Sequence, residues 1–121
     1  MAGGEGAEAG DAELVRTLGS KYSAEILGAT NEPRSAQELS DRLDIPIATC
    51  YRRIEELTEA GLLALEDSVL SEERRRVDVY RREVNELVVS FGDSGYSVVV
   101  EERSQVKNKL DDAWRALSDP G

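Results

Sequence analysis

The 121-residue chain contains no histidine, one cysteine, one phenylalanine and one tryptophan. Each shortage excludes something. A single cysteine, Cys50, rules out an intrachain disulfide, and with no histidine beside it there is no nitrogen and sulfur ligand set for zinc or copper. No metal and no cofactor is therefore expected. The commonest general base is missing too, as are a glycine-rich phosphate loop and a nucleophile elbow, and the carboxylates are scattered rather than paired. An enzyme is not expected. No stretch approaches the roughly 18 apolar residues of a membrane span, and the opening MAGGEGAEAGDAE has neither the basic nor the apolar region of a leader. These absences describe a soluble, cytoplasmic protein with no membrane partner.

Positive charge is the other shortage. Fifteen basic residues stand against 25 acidic ones, for a net charge of −10, and only Lys21, Lys107 and Lys109 of the fifteen are lysines. A 40% apolar fraction is enough for one core in a chain of this size, so the acidity belongs to a solvated surface rather than to disorder. The pattern is that of a halophilic protein. The arginines are not spread evenly: residues 34–82 hold nine of the fifteen basic residues and are net −2, while the remainder is net −8.

Residues 1–10 are Gly, Ala and Glu with nothing to bury, which predicts a disordered acidic tail. Asp11 can cap a short helix carrying Leu14, Val15 and Leu18, and a second helix runs from about Ser23 to Asn31 with Ile26 and Leu27 inward. Pro33 breaks the chain, and Ser35 with Glu38 forms an S-x-x-E capping box at the head of a third helix, with Ala36, Leu39 and Leu43 on one side. Asp44-Ile45-Pro46 makes a turn whose proline suits the first turn of the next helix, about Ile47 to Ala60. There the inward stripe is Cys50, Ile54 and Leu57, and Gly61 stands where a left-handed terminator belongs. The period then falls to about two. LLALEDSVL and RRRVDVYRREV, joined by SEER, form one hairpin, and ELVVSF and YSVVVEE, joined by GDSG, form another. A last helix from about Ser104 to Leu117 carries Val106, Leu110, Trp114 and Leu117 as its apolar stripe.

Helix, turn, helix, hairpin is the winged-helix order. The predicted fold is α+β: a winged helix-turn-helix over 11–84, then over 85–121 a second hairpin and a C-terminal helix for dimerisation. A generic pair of packed helices is the plainer alternative to the helix-turn-helix, and the capping box, proline turn, glycine stop and following hairpin together favour the winged form.

At 100° per residue, burial of Cys50, Ile54 and Leu57 turns Ala48, Arg52, Glu55 and Glu59 outward, with Thr49 on one flank and Tyr51 on the other. Small side chains permit close approach to DNA, Thr49 offers a hydroxyl and a methyl, and Arg52 suits a bidentate contact to guanine. Arg53, off to the side, would reach a phosphate. Arg74, Arg75 and Arg76 at the tip of the first hairpin would straddle a phosphate or enter a minor groove, and Ser35 and Arg81 complete the expected DNA-facing set. The plainer alternatives are helix-surface pairs of Arg52 and Arg53 with Glu55, Glu56 or Glu59, and a hairpin tip neutralised by Glu72 and Glu73. Cys50 reads first as a small core hydrophobe and second as a redox sensor. The 106–117 stripe packs either within the chain or against a partner's copy, and Val106, Leu110, Trp114 and Leu117 are the expected dimer contacts.

The stretch SAQELSDRLDIPIATCYRRIEELTEAGLL resembles the helix-turn-helix core of ArsR-like winged-helix transcription regulators, and the hairpin with RRRVDVYRR is similar to haloarchaeal members of that group. The resemblance covers roughly residues 14–84. It implies that Thr49, Tyr51, Arg52 and Arg53 face DNA and that the protein is a homodimer. It does not bring metal sensing, because the Cys-x-Cys pair of the metal-sensing branch is replaced here by Ala36-Gln37-Glu38-Leu39-Ser40. The expected function is a sequence-specific repressor binding double-stranded DNA at a palindromic operator at high salt, with bound cations bridging carboxylates to DNA. The alternative is a winged-helix module that binds protein and no DNA, favoured by the net charge of −10, which repels DNA at low salt.

Overall fold

In the computed structural model, residues 9–70 and 74–103 are described. Four helices and five strands follow one another: α1 (Ala9–Gly19), α2 (Ser23–Ala29), β1 (Arg34–Ser35), α3 (Ala36–Leu43), α4 (Ile47–Glu59), β2 (Leu63–Leu70), β3 (Arg76–Arg82), β4 (Val84–Gly92) and β5 (Gly95–Glu102). β1, β3 and β2 form a three-stranded antiparallel sheet in that order, and β4 pairs with β5 in a separate two-stranded sheet. The architecture is a winged helix-turn-helix with a second hairpin. The expected dimer contacts Val106, Leu110, Trp114 and Leu117, most of the acidic tail and the centre of the SEER turn lie outside the described residues.

Local chemistry explains the helix ends. Ser35 Oγ accepts the Glu38 N–H at 3.1 Å while the Glu38 carboxylate accepts the Ser35 N–H at 3.1 Å, so the head of α3 is capped reciprocally. Replacing Ser35 with alanine removes one half of this box and is expected to lower unfolding free energy by about 1 kcal/mol. Denaturant titration at fixed salt measures it. α4 ends with Gly61 at φ +78°, which lets the Gly61 N–H reach the Thr58 carbonyl and the Leu62 N–H reach the Leu57 carbonyl, at 3.0 and 2.9 Å. That reversal drops Leu62 and Leu63 straight into the core.

The core gathers Ile26 and Leu27 of α2, Ala36 and Leu39 of α3, Ile45 of the turn, Cys50, Ile54 and Leu57 of α4, and Leu62, Leu63 and Val84 from the strands. Arginines brace its rim: Arg34 Nε donates to the Ala29 carbonyl at 2.7 Å and Arg82 Nη1 to the Leu27 carbonyl at 3.0 Å, both at the C-terminal end of α2. Carbonyls left over at a helix end carry partial negative charge, which guanidinium groups satisfy.

Several expectations need correction. α1 starts at Ala9, so Asp11 lies in its first turn, and the Asp11 carboxylate accepts the Val98 N–H of β5 at 3.3 Å instead of capping. α2 stops at Ala29, because the Thr30 hydroxyl folds back on the Ile26 carbonyl at 2.9 Å. Pro46 precedes α4 as its N-cap rather than standing in its first turn, and its carbonyl accepts the Cys50 N–H at 2.9 Å. The short strand β1 was not expected; it pairs Arg34 with Tyr80 and Ser35 with Val79, closing the sheet against the helices.

Candidate nucleic-acid interface

α4 presents one face to the core and the other outward. Cys50, Ile54 and Leu57 are buried, while Ala48, Tyr51, Arg52, Glu55 and Glu59 are exposed and Thr49 is half-buried on the flank. The hydrophobic stripe thereby fixes which side chains a partner meets. Arg52 makes no hydrogen bond or ion pair among the described residues, so Glu55, Glu56 and Glu59 do not neutralise it there. Tyr51, 56% exposed, stands beside it.

Tyr51 of α4 and the head of α3 face the wing. A groove of about 560 Å³ runs between helices and wing, lined by Ser35, Ala36, Gln37 and Tyr51 on the helical side and by Arg75, Arg76, Val77, Asp78 and Tyr80 on the strand side. Arg76 and Tyr80 share one face of β3 because side chains alternate along a strand. Burial, then the negative charge of Asp78, pushes the Tyr80 phenol above its usual range, so it stays a neutral donor. Arg74 is exposed at φ +63°, a left-handed residue at the wing tip. Two arginines, one aspartate and two phenols meet at this concave surface.

Three of the expected DNA-facing residues are placed otherwise. Arg53 Nε donates to the Lys21 carbonyl at 2.8 Å and Nη1 to Glu56 Oε1 at 2.7 Å, leaving its side chain 17% exposed. It ties α4 to the α1–α2 turn instead of reaching a phosphate. Ser35 is buried and its hydroxyl is engaged in the capping box, so it touches the groove only from beneath. Arg81 projects from the strand face opposite Tyr80, and its Nη1 lies 3.6 Å from Glu66 Oε1. Glu66 is the extra residue of a bulge between Leu65 and Asp67, and it also faces Arg103 at 3.9 Å, which in turn meets Glu83 at 3.3 Å. Arg81 therefore belongs to an ion cluster joining the wing to the end of β5.

Cys50 is fully buried, its Sγ donating to the Ala36 carbonyl at 3.5 Å, and burial pushes the thiol above its ordinary value. A buried neutral thiol is a poor nucleophile, so it packs α4 against α3. Because its folded pKa is raised, whatever stability the neutral thiol contributes is complete below the unfolded value near 9.0 and is lost as pH rises through the folded one. Alkylating reagents at neutral pH are expected to modify Cys50 only as fast as the native chain opens, and slowly compared with an unfolded control; mass spectrometry of quenched samples follows this.

Among the described residues no helix is long and apolar enough to cross a membrane. None of the curated proteins matches the chain. Among solved structures it is similar to FurB from M. tuberculosis, a zinc uptake regulator, at 21% identity over 93% of this chain and 85% of that one, with a TM-score of 0.39. Residues 18–66 match the family model of a helix-turn-helix domain, a span that holds α2, α3, the turn, α4 and the first residues of the wing.

Proposed function

We propose that this chain is a sequence-specific DNA-binding transcription regulator of the ArsR-like, haloarchaeal kind. It is a cytoplasmic repressor rather than an enzyme, and it acts as a homodimer on a palindromic operator at high salt. α4 lies in the major groove and the wing follows the neighbouring backbone. The observation that carries this reading is the outward face of α4, where Ala48 and Arg52 are exposed, Thr49 is half-buried, and Tyr51 lines a groove edged by Arg75, Arg76 and Tyr80. The helix-turn-helix match over 18–66 supports it as well.

Acidity favours a second reading, a protein-binding module, since a net charge of −10 repels DNA in dilute buffer. In molar salt the Debye length is about 3 Å, so distant carboxylates are screened and local contacts decide. The test is selection of random duplexes by the full chain in molar KCl. Enrichment of an inverted repeat whose half-sites lie roughly 34 Å apart supports the regulator. Recovery of unenriched DNA, with the protein folded, transfers the assignment to the protein-binding module.

A further inference from the structure

We infer that two copies of this chain join through the free edge of β4, making the β4–β5 hairpins one four-stranded antiparallel sheet across a two-fold axis. The proposal deepens the dimeric part of the reading above and rests on it. It begins with an unanswered backbone. β4 and β5 pair only with each other, so each strand has an outer edge. Gly92 and Gly95 flank the two-residue turn Asp93-Ser94, and in such a hairpin the flanking pair exchanges its hydrogen bonds inward. Outward groups then alternate: Tyr96 and Val98 on β5, and Leu87, Val89 and Phe91 on β4. The Val98 N–H does point outward, to the Asp11 carboxylate of α1 at 3.3 Å. The β5 edge is thus engaged by α1, and among the described residues nothing pairs with the β4 edge.

The same alternation puts the side chains of Leu87, Val89, Phe91, Tyr96, Val98 and Val100 on one face. Leu87 and Val100 reach the core, while Phe91 is 83% exposed and Val89 37%. A two-stranded sheet with one uncovered apolar face is marginal in water, and a long apolar edge is a template for pairing. What pairs with it must tolerate the charge of this surface. Residues 87–92, LVVSFG, carry no charge in a chain of net −10, so two copies can meet there without opposing carboxylates.

The edge is also self-complementary. Centring the two-fold on Val89, the outward residue in the middle, sets Val89 against the partner's Val89 and Leu87 against the partner's Phe91. Both are apolar pairs, with Val89 and Phe91 exposed and Leu87 half-buried against the core. Glu86 then falls opposite the partner's Gly92, and Asp93 opposite the partner's Asn85, so no like charges meet. A seam of one strand edge buries less than the roughly 800 Å² per partner of a stable complex. Val106, Leu110, Trp114 and Leu117, the dimer contacts expected from the sequence, belong to the 18 residues after Arg103, outside the described ones.

The test uses the full chain at the salt that keeps it folded. Sedimentation gives its oligomeric state, residue-resolved amide exchange compares Leu87, Val89 and Phe91 with the ladder-facing Val88 and Ser90, and mild oxidation follows Val89→Cys and Val99→Cys, with disulfides mapped to exclude Cys50. Hydrogen-bonded antiparallel partners hold their Cα atoms about 5.5 Å apart, within the span of a disulfide. The expected result is a dimer in which the three outward amides exchange about 15-fold slower at a total chain concentration 100 times the dissociation constant than on dilution, since about 7% of the chains are then monomeric. Val89→Cys chains link across the axis and Val99→Cys chains do not. A dimer with unprotected outward amides and no Val89→Cys link overturns the seam while leaving a dimeric regulator standing. A monomer at every concentration overturns both the seam and the dimer, and protected amides in that monomer assign the edge to the chain's own C-terminal residues.

Discussion

Replacing Arg52 with alanine is expected to weaken binding to the selected operator by about 5- to 150-fold, the worth of one bidentate arginine–guanine pair at roughly 1–3 kcal/mol, with no change in the unfolding midpoint. Arg52 touches nothing that holds the fold together, and surface substitutions of that kind stay within about 0.5 kcal/mol in stability. The neighbouring Arg53→Ala gives the opposite pair of outcomes. Its guanidinium bridges Lys21 and Glu56, so the variant loses stability, by about 1 kcal/mol once partial exposure is allowed for. Its effect on DNA follows from a loosened α4 and falls evenly on operator and unrelated duplex. Titrations against both duplexes, with melting curves for each variant, separate the two arginines. Arg52→Ala with operator preference intact would show that α4 is not the reading element. Arg53→Ala that melts normally but loses one phosphate's share of the salt dependence, a slope change of about 0.9, would return Arg53 to the DNA backbone.

That two adjacent arginines differ so much marks where sequence reading stops. The head of α3 and the end of α4 were legible because their causes are local: Ser35 and Glu38 cap one helix three residues apart, and only a residue free to adopt positive φ closes the next as Gly61 does. The buried stripe of Cys50, Ile54 and Leu57, and hence the outward set containing Ala48 and Arg52, followed from the 3.6-residue period alone. Arg53 sits at the border of that stripe, where a few degrees decide between solvent and the α1–α2 turn, and its acceptor is a carbonyl 32 residues away. Periodicity holds no information about such a partner. The same is true of Asp11, whose acceptor role depends on a strand 87 residues on, and of β1, which is too short to show a period and exists because Tyr80 and Val79 lie beside it.

The wing shows a second kind of failure. Strict alternation along β2 would put Leu65 and Asp67 on one face, but the bulge at Glu66 sets Leu65 opposite Tyr80 and Asp67 opposite Val79, on different faces of the sheet. One inserted residue inverts every assignment beyond it, and it turns the Glu66 carboxylate toward Arg81 and Arg103. Arg81 was expected at DNA because the arginines of the hairpin were read as one basic patch. The fold divides that patch, sending Arg76 to the groove, Arg82 to the end of α2 and Arg81 to the ion cluster.

The largest loss of stability is expected from Leu57→Ala, at about 2–5 kcal/mol, against a total of about 5–15 kcal/mol for a domain of this kind. Leu57 is fully buried where α4 turns back into β2, among the side chains that join α2, α3, α4 and the sheet. The backbone bond from the Leu62 N–H to the Leu57 carbonyl survives the change, so the cost comes from the emptied volume and not from a lost cap. Denaturant unfolding measures it directly, and the same samples tell packing from recognition. At a denaturant concentration where Leu57→Ala is still folded, its operator affinity should match that of the parent chain, because the outward face of α4 is carried by a helix whose ends remain capped. A variant that stays folded yet loses the operator would mean that Leu57 sets the tilt of α4 in the groove, and the recognition face would then depend on core volume as well as on the residues that line it.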